Sequence, residues 1–163
     1  MKTNQEGINI IKHFEGLHDG DLKTIGLQPK MCPAGIWTEG YGRAMRDNKG
    51  NFIKGKENKE LAYSRISIHN EKEAEEALKQ DVSIREQIVM QKIKVPLTSN
   101  QFSALVSYVY NTGGSSTLYK LINNKASEKE IRSWFENHYI TADGKILKGL
   151  ILRRKTEASL YFK

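Results

Sequence analysis

The stretch from Phe14 to Gly42 constrains this chain more than any other. It closes in Cys32-Pro-Ala-Gly-Ile-Trp-Thr38-Glu-Gly-Tyr-Gly42, an alternating run punctuated by glycine. Ile36, Thr38 and Gly40 point one way, while Trp37, Glu39 and Tyr41 point the other, the period of a β-strand. Gly40 and Gly42 carry no side chain, so a backbone or a ligand can come close there.

An amphipathic helix leads into this stretch. Thr3 with Glu6 fits a capping box and places the helix start near Asn4. Ile8, Ile11 and Glu15 share one face, with Ile10 and Phe14 beside it. Glu15 therefore extends an apolar stripe and is either a partly desolvated acid that keeps a proton for donation or a helix-end carboxylate reaching back to water. A carboxylic acid is thus delivered to a short sheet carrying a thiol, a hydroxyl and aromatics, the makings of a small cleft for acid-assisted hydrolysis. If Thr38 faces Glu15, then Glu39, the nearest second carboxylate, faces away. A threonine in a strand is by itself an ordinary β-former.

The remainder reads as one α+β domain. At 163 residues, with 38% hydrophobic and 28% charged content, the chain can bury a real core. Residues 45–64 are polar and rich in lysine, with a turn at Asp47-Asn-Lys-Gly50 and a short strand or loop over 51–55. Residues 16–66 form a β-rich lobe with long loops. Asn70 with Glu73 caps a long helix over about 71–93, which stops before Pro96 and joins the lobes. Thr98 with Gln101 caps a helix so apolar, from Phe102 to Tyr110, that it lies at the centre of the larger lobe, and Gly113 supplies its left-handed end. Ser116 starts a short helix, and Ser127 with Glu130 caps another. Ala142-Asp-Gly144 makes a turn, and a last helix from about Leu150 carries Leu152, Leu160 and Phe162. Asn111 either contacts a ligand or caps its own helix. Arg153 and Arg154 are either exposed or paired with a carboxylate of the first helix.

Charge narrows the partners. Twenty-six basic against nineteen acidic residues give a net charge of +7 and a pI near 9.4, which favours nucleic acid, anionic lipid or a bacterial envelope. The basic residues are dispersed, and no aromatic-interleaved nucleic-acid motif is present. One cysteine excludes an internal disulfide. No apolar run approaches the roughly 18 residues of a membrane span, and polar residues interrupt any signal-peptide core before Ile8. Four scattered histidines make no metal site of known spacing.

Glu15-Gly-Leu, the run from Cys32 to Gly42, Asn100-Gln-Phe102 through Asn111-Thr-Gly113, and Gly149-Leu150 before Arg153-Arg154 together resemble the phage lysozymes (endolysins) of glycoside hydrolase family 24. That family's pattern is Glu, eight residues, Asp or Cys, five residues, Thr. Cys32 and Thr38 keep the second interval. The first is expanded to sixteen residues between Glu15 and Cys32, by a segment that carries Asp19 and Asp21. The family's frequent His after Gly-Tyr-Gly is Arg43 here.

The resemblance implies a lysozyme-like fold: a small β-rich lobe, a helical lobe over 71–163 plus the N-terminal helix, and a cleft between. It implies hydrolysis of the β-1,4 bond between N-acetylmuramic acid and N-acetylglucosamine in peptidoglycan. Glu15 is then the general acid, Thr38 with Cys32 acts from the opposite side, and Tyr41 and Asn111 contact substrate. No cofactor, metal, nucleic acid or membrane span is implied, and the enzyme is expected to be a monomer. It is expected to accumulate in the host cytoplasm and reach the wall after a separate protein permeabilises the membrane. The rival readings are a lytic transglycosylase on the same polymer and a non-catalytic basic wall- or nucleic-acid-binding protein.

Overall fold

The computed structural model describes all residues, Met1–Lys163. The chain forms two compact units, one of Met1–Phe14 with Val82–Lys163 and the other of Glu15–Asp81. The smaller unit thus runs further along the chain than the 16–66 span expected from sequence, taking in the first half of the long helix.

Helix α1 is Gln5–Glu15, with Ile11 fully buried. Its cap differs from the expected one. The Asn4 side chain accepts the Gly7 N–H at 3.0 Å, whereas the Thr3 hydroxyl and amide both donate to Glu86, at 2.9 and 2.8 Å. A buried carboxylate on a distant helix outcompetes the local box for Thr3, and the neighbouring asparagine, an equally good cap, takes over.

In the smaller unit, β1 (Lys30–Met31), β2 (Trp37–Glu39) and β3 (Arg43–Ala44) form an antiparallel sheet in chain order. Its register pairs Lys30 with Thr38, Met31 with Trp37, and Glu39 with Arg43. Trp37 packs with Met45, Ile53 and Ala62 in a small core, and its indole N–H donates to the Gly55 carbonyl at 2.8 Å. Asp47 organises the expected turn by accepting the Lys49 and Asn51 amides at 2.8 and 2.9 Å. A 3-10 turn at Lys56–Asn58 then leads into α2 (Lys59–Ser64), which the sequence reading leaves as polar loop. Ala62 is the only buried residue of that helix, so tertiary contact holds it and no periodic stripe announces it.

Helix α3 spans Glu71–Lys92, its first amides met by Asn70, which accepts from Glu73 N–H at 2.9 Å. In the larger unit, α4 (Ser99–Thr112) has the expected capping box of Thr98 and Gln101 and ends on Gly113 at φ 78°. That left-handed angle is costly for any residue with a Cβ. Every residue from Phe102 to Val109 is buried, which makes α4 the central helix of its unit. Helices α5 (Ser116–Asn123) and α6 (Glu128–Asn137) are capped by Ser115 and Ser127. A hairpin, β4 (Thr141–Ala142) and β5 (Lys145–Ile146), turns at Asp143 and Gly144, both at positive φ.

Helix α7 (Lys148–Tyr161) packs on α4 and α6. Its inward face mixes apolar and charged residues: Ala158, Leu160 and Tyr161 are buried together with Arg153, Arg154 and Glu157, while Leu152 is exposed. Glu157 pairs with both guanidiniums, at 3.1 and 3.0 Å, and accepts the Ser107 hydroxyl at 2.7 Å. Burial is tolerated there because charges and hydrogen bonds compensate one another.

Candidate active site

Glu15 is the last residue of α1 and is half-buried. Its carboxylate lies against Gly42. A Cβ built on Gly42 would come within 2.6 Å of Oε2, and the backbone there has φ +83°. The glycine is required twice over, once by its backbone angle and once by the acid it accommodates. Gly42→Ala is therefore expected to displace the Glu15 carboxylate and to cut turnover at least tenfold with the fold retained. Rates alongside a thermal melt check this, and a folded Gly42→Ala protein of normal activity would show that the carboxylate need not sit there.

Thr38 stands in β2, buried and opposite Lys30. Its hydroxyl lies 2.8 Å from the Lys30 carbonyl and 2.7 Å from His18 Nδ1. The other ring nitrogen of His18, Nε2, lies 3.2 Å from the backbone carbonyl of Glu15, and the His18 amide donates to the Gly40 carbonyl at 2.8 Å. One imidazole thus joins the end of the helix that bears the acid to the strand that bears the hydroxyl. Burial pushes the His18 pKa below its ordinary value. The Glu15 carbonyl and the charge of Glu15 oppose that fall, and Lys30 adds to it. The ring is accordingly neutral at pH 7. The sequence reading passes over His18 as one of four scattered histidines. Its position three residues after the acid, in Glu-Gly-Leu-His, is the only local signal, because its partner Thr38 lies twenty residues on.

The other expected residues divide. Cys32 is half-buried at the β1–β2 turn, its amide donating to the Ile36 carbonyl at 2.8 Å. It stands opposite Ile36, two residue pairs further toward the turn than Lys30 and Thr38, so strand alternation puts its side chain on their face of the sheet. Glu39 is buried and saturated, accepting from the Ser67 amide and hydroxyl at 2.9 and 2.5 Å and from the Ile68 amide at 3.1 Å. It holds a loop. Asp19 accepts from the amides of Asp21 and Gln28. Asp21 accepts the Lys23 amide and the Thr24 hydroxyl, and that hydroxyl bond is the main cause holding its carboxyl below the usual range. Both are occupied within their own loop. Arg43 clamps Asp81 with two bonds of 3.0 and 3.1 Å and donates to the Ala77 carbonyl at 2.8 Å, so this position ties β3 to the start of α3.

Tyr41 is buried, and Asn111 is exposed at the end of α4. The Asn111 Oδ1 accepts from Arg154 Nη2 at 2.8 Å, so it does not cap its own helix and its two N–H donors are turned away from the arginine. The larger unit also carries a cavity of about 580 Å³, lined by Ser115, Thr117, Trp134, His138 and Tyr139 among others. Trp134 stacks on His138 there at 3.6 Å. Nothing in the sequence reading singles out that pair.

The phage lysozyme family profile matches residues 12–157. An endolysin of Acyrthosiphon pisum secondary endosymbiont phage 1 is 30% identical over 99% of this chain and 98% of its own length. Among solved structures, an endolysin from Escherichia coli O157:H7 phage FAHEc1 is 30% identical with a TM-score of 0.72, covering 100% of this chain and 94% of that one. The muramidase domain of SpmX from Asticaccaulis excentricus is 27% identical with a TM-score of 0.71, covering 99% and 98%. The match spans the segment from α1 to α7 that holds Glu15, Thr38 and Asn111, and the chain belongs to the phage lysozyme family.

Proposed function

We propose that Glu15 is the general acid of this enzyme and that Thr38 places the water which replaces the leaving sugar. The protein is a peptidoglycan-degrading endolysin, a glycoside hydrolase of lysozyme type. The bond broken is the β-1,4 link between N-acetylmuramic acid and N-acetylglucosamine. Glu15 donates a proton to the leaving oxygen, and water completes the sugar from the opposite face. The observation that carries this reading is the arrangement of the acid. Glu15 closes a helix beside a residue without a side chain, and one histidine links its backbone to the Thr38 hydroxyl. Tyr41 and Asn111 contact the glycan, the latter through its amide N–H groups.

Turbidity loss of permeabilised bacteria, followed by mass spectrometry of the released muropeptides, tests the reaction. Each cleavage is expected to add one water. Products that end in an internal 1,6-anhydro ring would make the enzyme a transglycosylase and leave the placed water without a role.

Cys32 stands on the Thr38 face and supports the water or the oxocarbenium-like transition state from there. Cys32→Ser is expected to lower activity several-fold, Cys32→Asp to keep a useful fraction, and the pair Asp19→Asn with Asp21→Asn to cost less than twofold. A folded but inactive double aspartate variant beside a fully active Cys32→Ser would move the second group into the 18–31 segment.

No helix of the chain is long and apolar enough to cross a membrane. We infer that the enzyme waits in the host cytoplasm for a separate membrane-permeabilising protein. Expressed by itself in a bacterium, the chain is expected to leave the culture turbid until chloroform is added. Lysis without a permeabiliser would show that it carries its own route outward.

A further inference from the structure

Thr38 has one hydroxyl hydrogen and two neighbours that can take it: the Lys30 carbonyl at 2.8 Å and His18 Nδ1 at 2.7 Å. The state of the imidazole decides between them. Its Nε2 faces the Glu15 carbonyl, which can only accept, so Nε2 carries the hydrogen. A neutral ring then has a bare lone pair on Nδ1, aimed at the Thr38 oxygen. Donation to Nδ1 fills the shorter, 2.7 Å contact and leaves the Thr38 oxygen an acceptor for a water. The Lys30 carbonyl, 2.8 Å away, is left without a donor until Nδ1 is protonated and the hydroxyl turns to it.

We propose that His18, acting through Thr38, is the residue that positions and deprotonates the attacking water. As the water oxygen bonds to the anomeric carbon, its proton passes to Thr38 Oγ1. The Thr38 hydroxyl proton passes in the same motion to His18 Nδ1. The bond from the anomeric carbon to the leaving oxygen breaks, and that oxygen takes the proton of Glu15. One water is consumed, two hydroxyl products form, and the enzyme is left with a Glu15 carboxylate and a His18 imidazolium. Both imidazolium N–H groups already have acceptors, because the Thr38 hydroxyl can then swing to Lys30. The new positive charge also forms as Glu15 becomes negative, and Glu15 is a charge that favours it. Return of one proton from His18 to Glu15 through solvent resets the site.

The other charged group acting on the ring is Lys30 of β1, which opposes protonation. Asp19, the next residue, has its carboxylate engaged within its loop, and Glu39 of β2 is taken up by Ser67 and Ile68. A neutral imidazole is a far better proton acceptor than the single thiol on this sheet face.

The proposal rests on Thr38 placing the water, and the test separates the two. Steady-state kinetics on a soluble glycan-strand substrate are measured from pH 4 to 9 for wild type, His18→Asn, Thr38→Val and the double variant, each with a melting curve. Asparagine can still accept the Thr38 hydroxyl but has no useful basicity. His18→Asn is expected to lose roughly 100-fold in kcat with KM within twofold. The acid limb of the wild-type kcat profile, with a midpoint below the ordinary histidine value of 6.5, is expected to vanish with it. The double variant is expected to be no slower than Thr38→Val. A His18→Asn enzyme within threefold of wild type, beside a folded and inactive Thr38→Val, overturns the role of His18 and leaves the placed water standing. A fully active Thr38→Val overturns both. Should His18→Asn fail to fold, the wild-type profile decides, because a kcat that stays flat down to pH 4 rules out a histidine acceptor.

Discussion

Glu15→Gln is expected to abolish lysis while leaving the protein folded. The amide has the volume of the acid and can lie against Gly42 as the carboxylate does, so neither helix α1 nor the close approach at Gly42 is disturbed. What it lacks is a proton it can give to the leaving sugar oxygen. General acid catalysis contributes roughly 10²–10⁴-fold, and the loss should fall on kcat with little change in KM, because the missing interaction develops only in the transition state. The measurement is turnover on purified peptidoglycan beside a thermal melt. A folded Glu15→Gln protein within tenfold of wild type would remove Glu15 from the chemistry and, with it, the reason for the Gly42 contact.

The sequence discloses contacts that close within a few residues. Thr98 with Gln101 and Ser127 with Glu130 are capping boxes in the structure, since each needs only one turn of helix. Glu15 falls at the end of α1, and the run Phe102–Val109 is buried throughout, Ser103 and Ser107 included, because 3.6-residue periodicity and a mostly apolar run are local properties. Thr3 goes astray for the opposite reason. Its partner, Glu86, is 83 residues away, and no local pattern can announce it. His18 and Thr38 are separated by twenty residues and by the added segment, so their bond depends on how the loop returns to β1. Helix α7 is legible only in part, since Leu160 is buried but Leu152 faces water while two arginines and a glutamate turn inward. A rule that sorts residues by hydrophobicity assigns that face the wrong way round whenever charges compensate one another inside.

That inward cluster carries the largest expected effect on stability. Arg154 and Glu157 are fully buried and Arg153 nearly so, and the Glu157 carboxylate meets both guanidiniums at 3.1 and 3.0 Å. Burial pushes the Glu157 carboxyl up from its ordinary value, while Arg154, Arg153 and the Ser107 hydroxyl, in that order, pull it back. With two permanently charged groups in contact, the carboxylate form prevails at neutral pH. Glu157→Gln keeps the shape and leaves two buried positive charges without their counterion, a change that costs about 3–5 kcal/mol. For a chain of this length that corresponds to a fall in Tm of roughly 6–20 °C. The exposed pair of Arg132 and Glu128 is the control, because removing its charge with Glu128→Gln should cost under about 1 kcal/mol. Function follows from the same cluster. Arg154 holds the carbonyl end of the Asn111 amide, so loosening the arginine should free Asn111 to rotate and raise KM before the protein melts. Urea unfolding of both variants, with KM measured below the transition, checks each part. A Glu157→Gln protein within 1 kcal/mol of wild type would mean that burial has already neutralised the carboxyl and that the two arginines are held by their other hydrogen bonds.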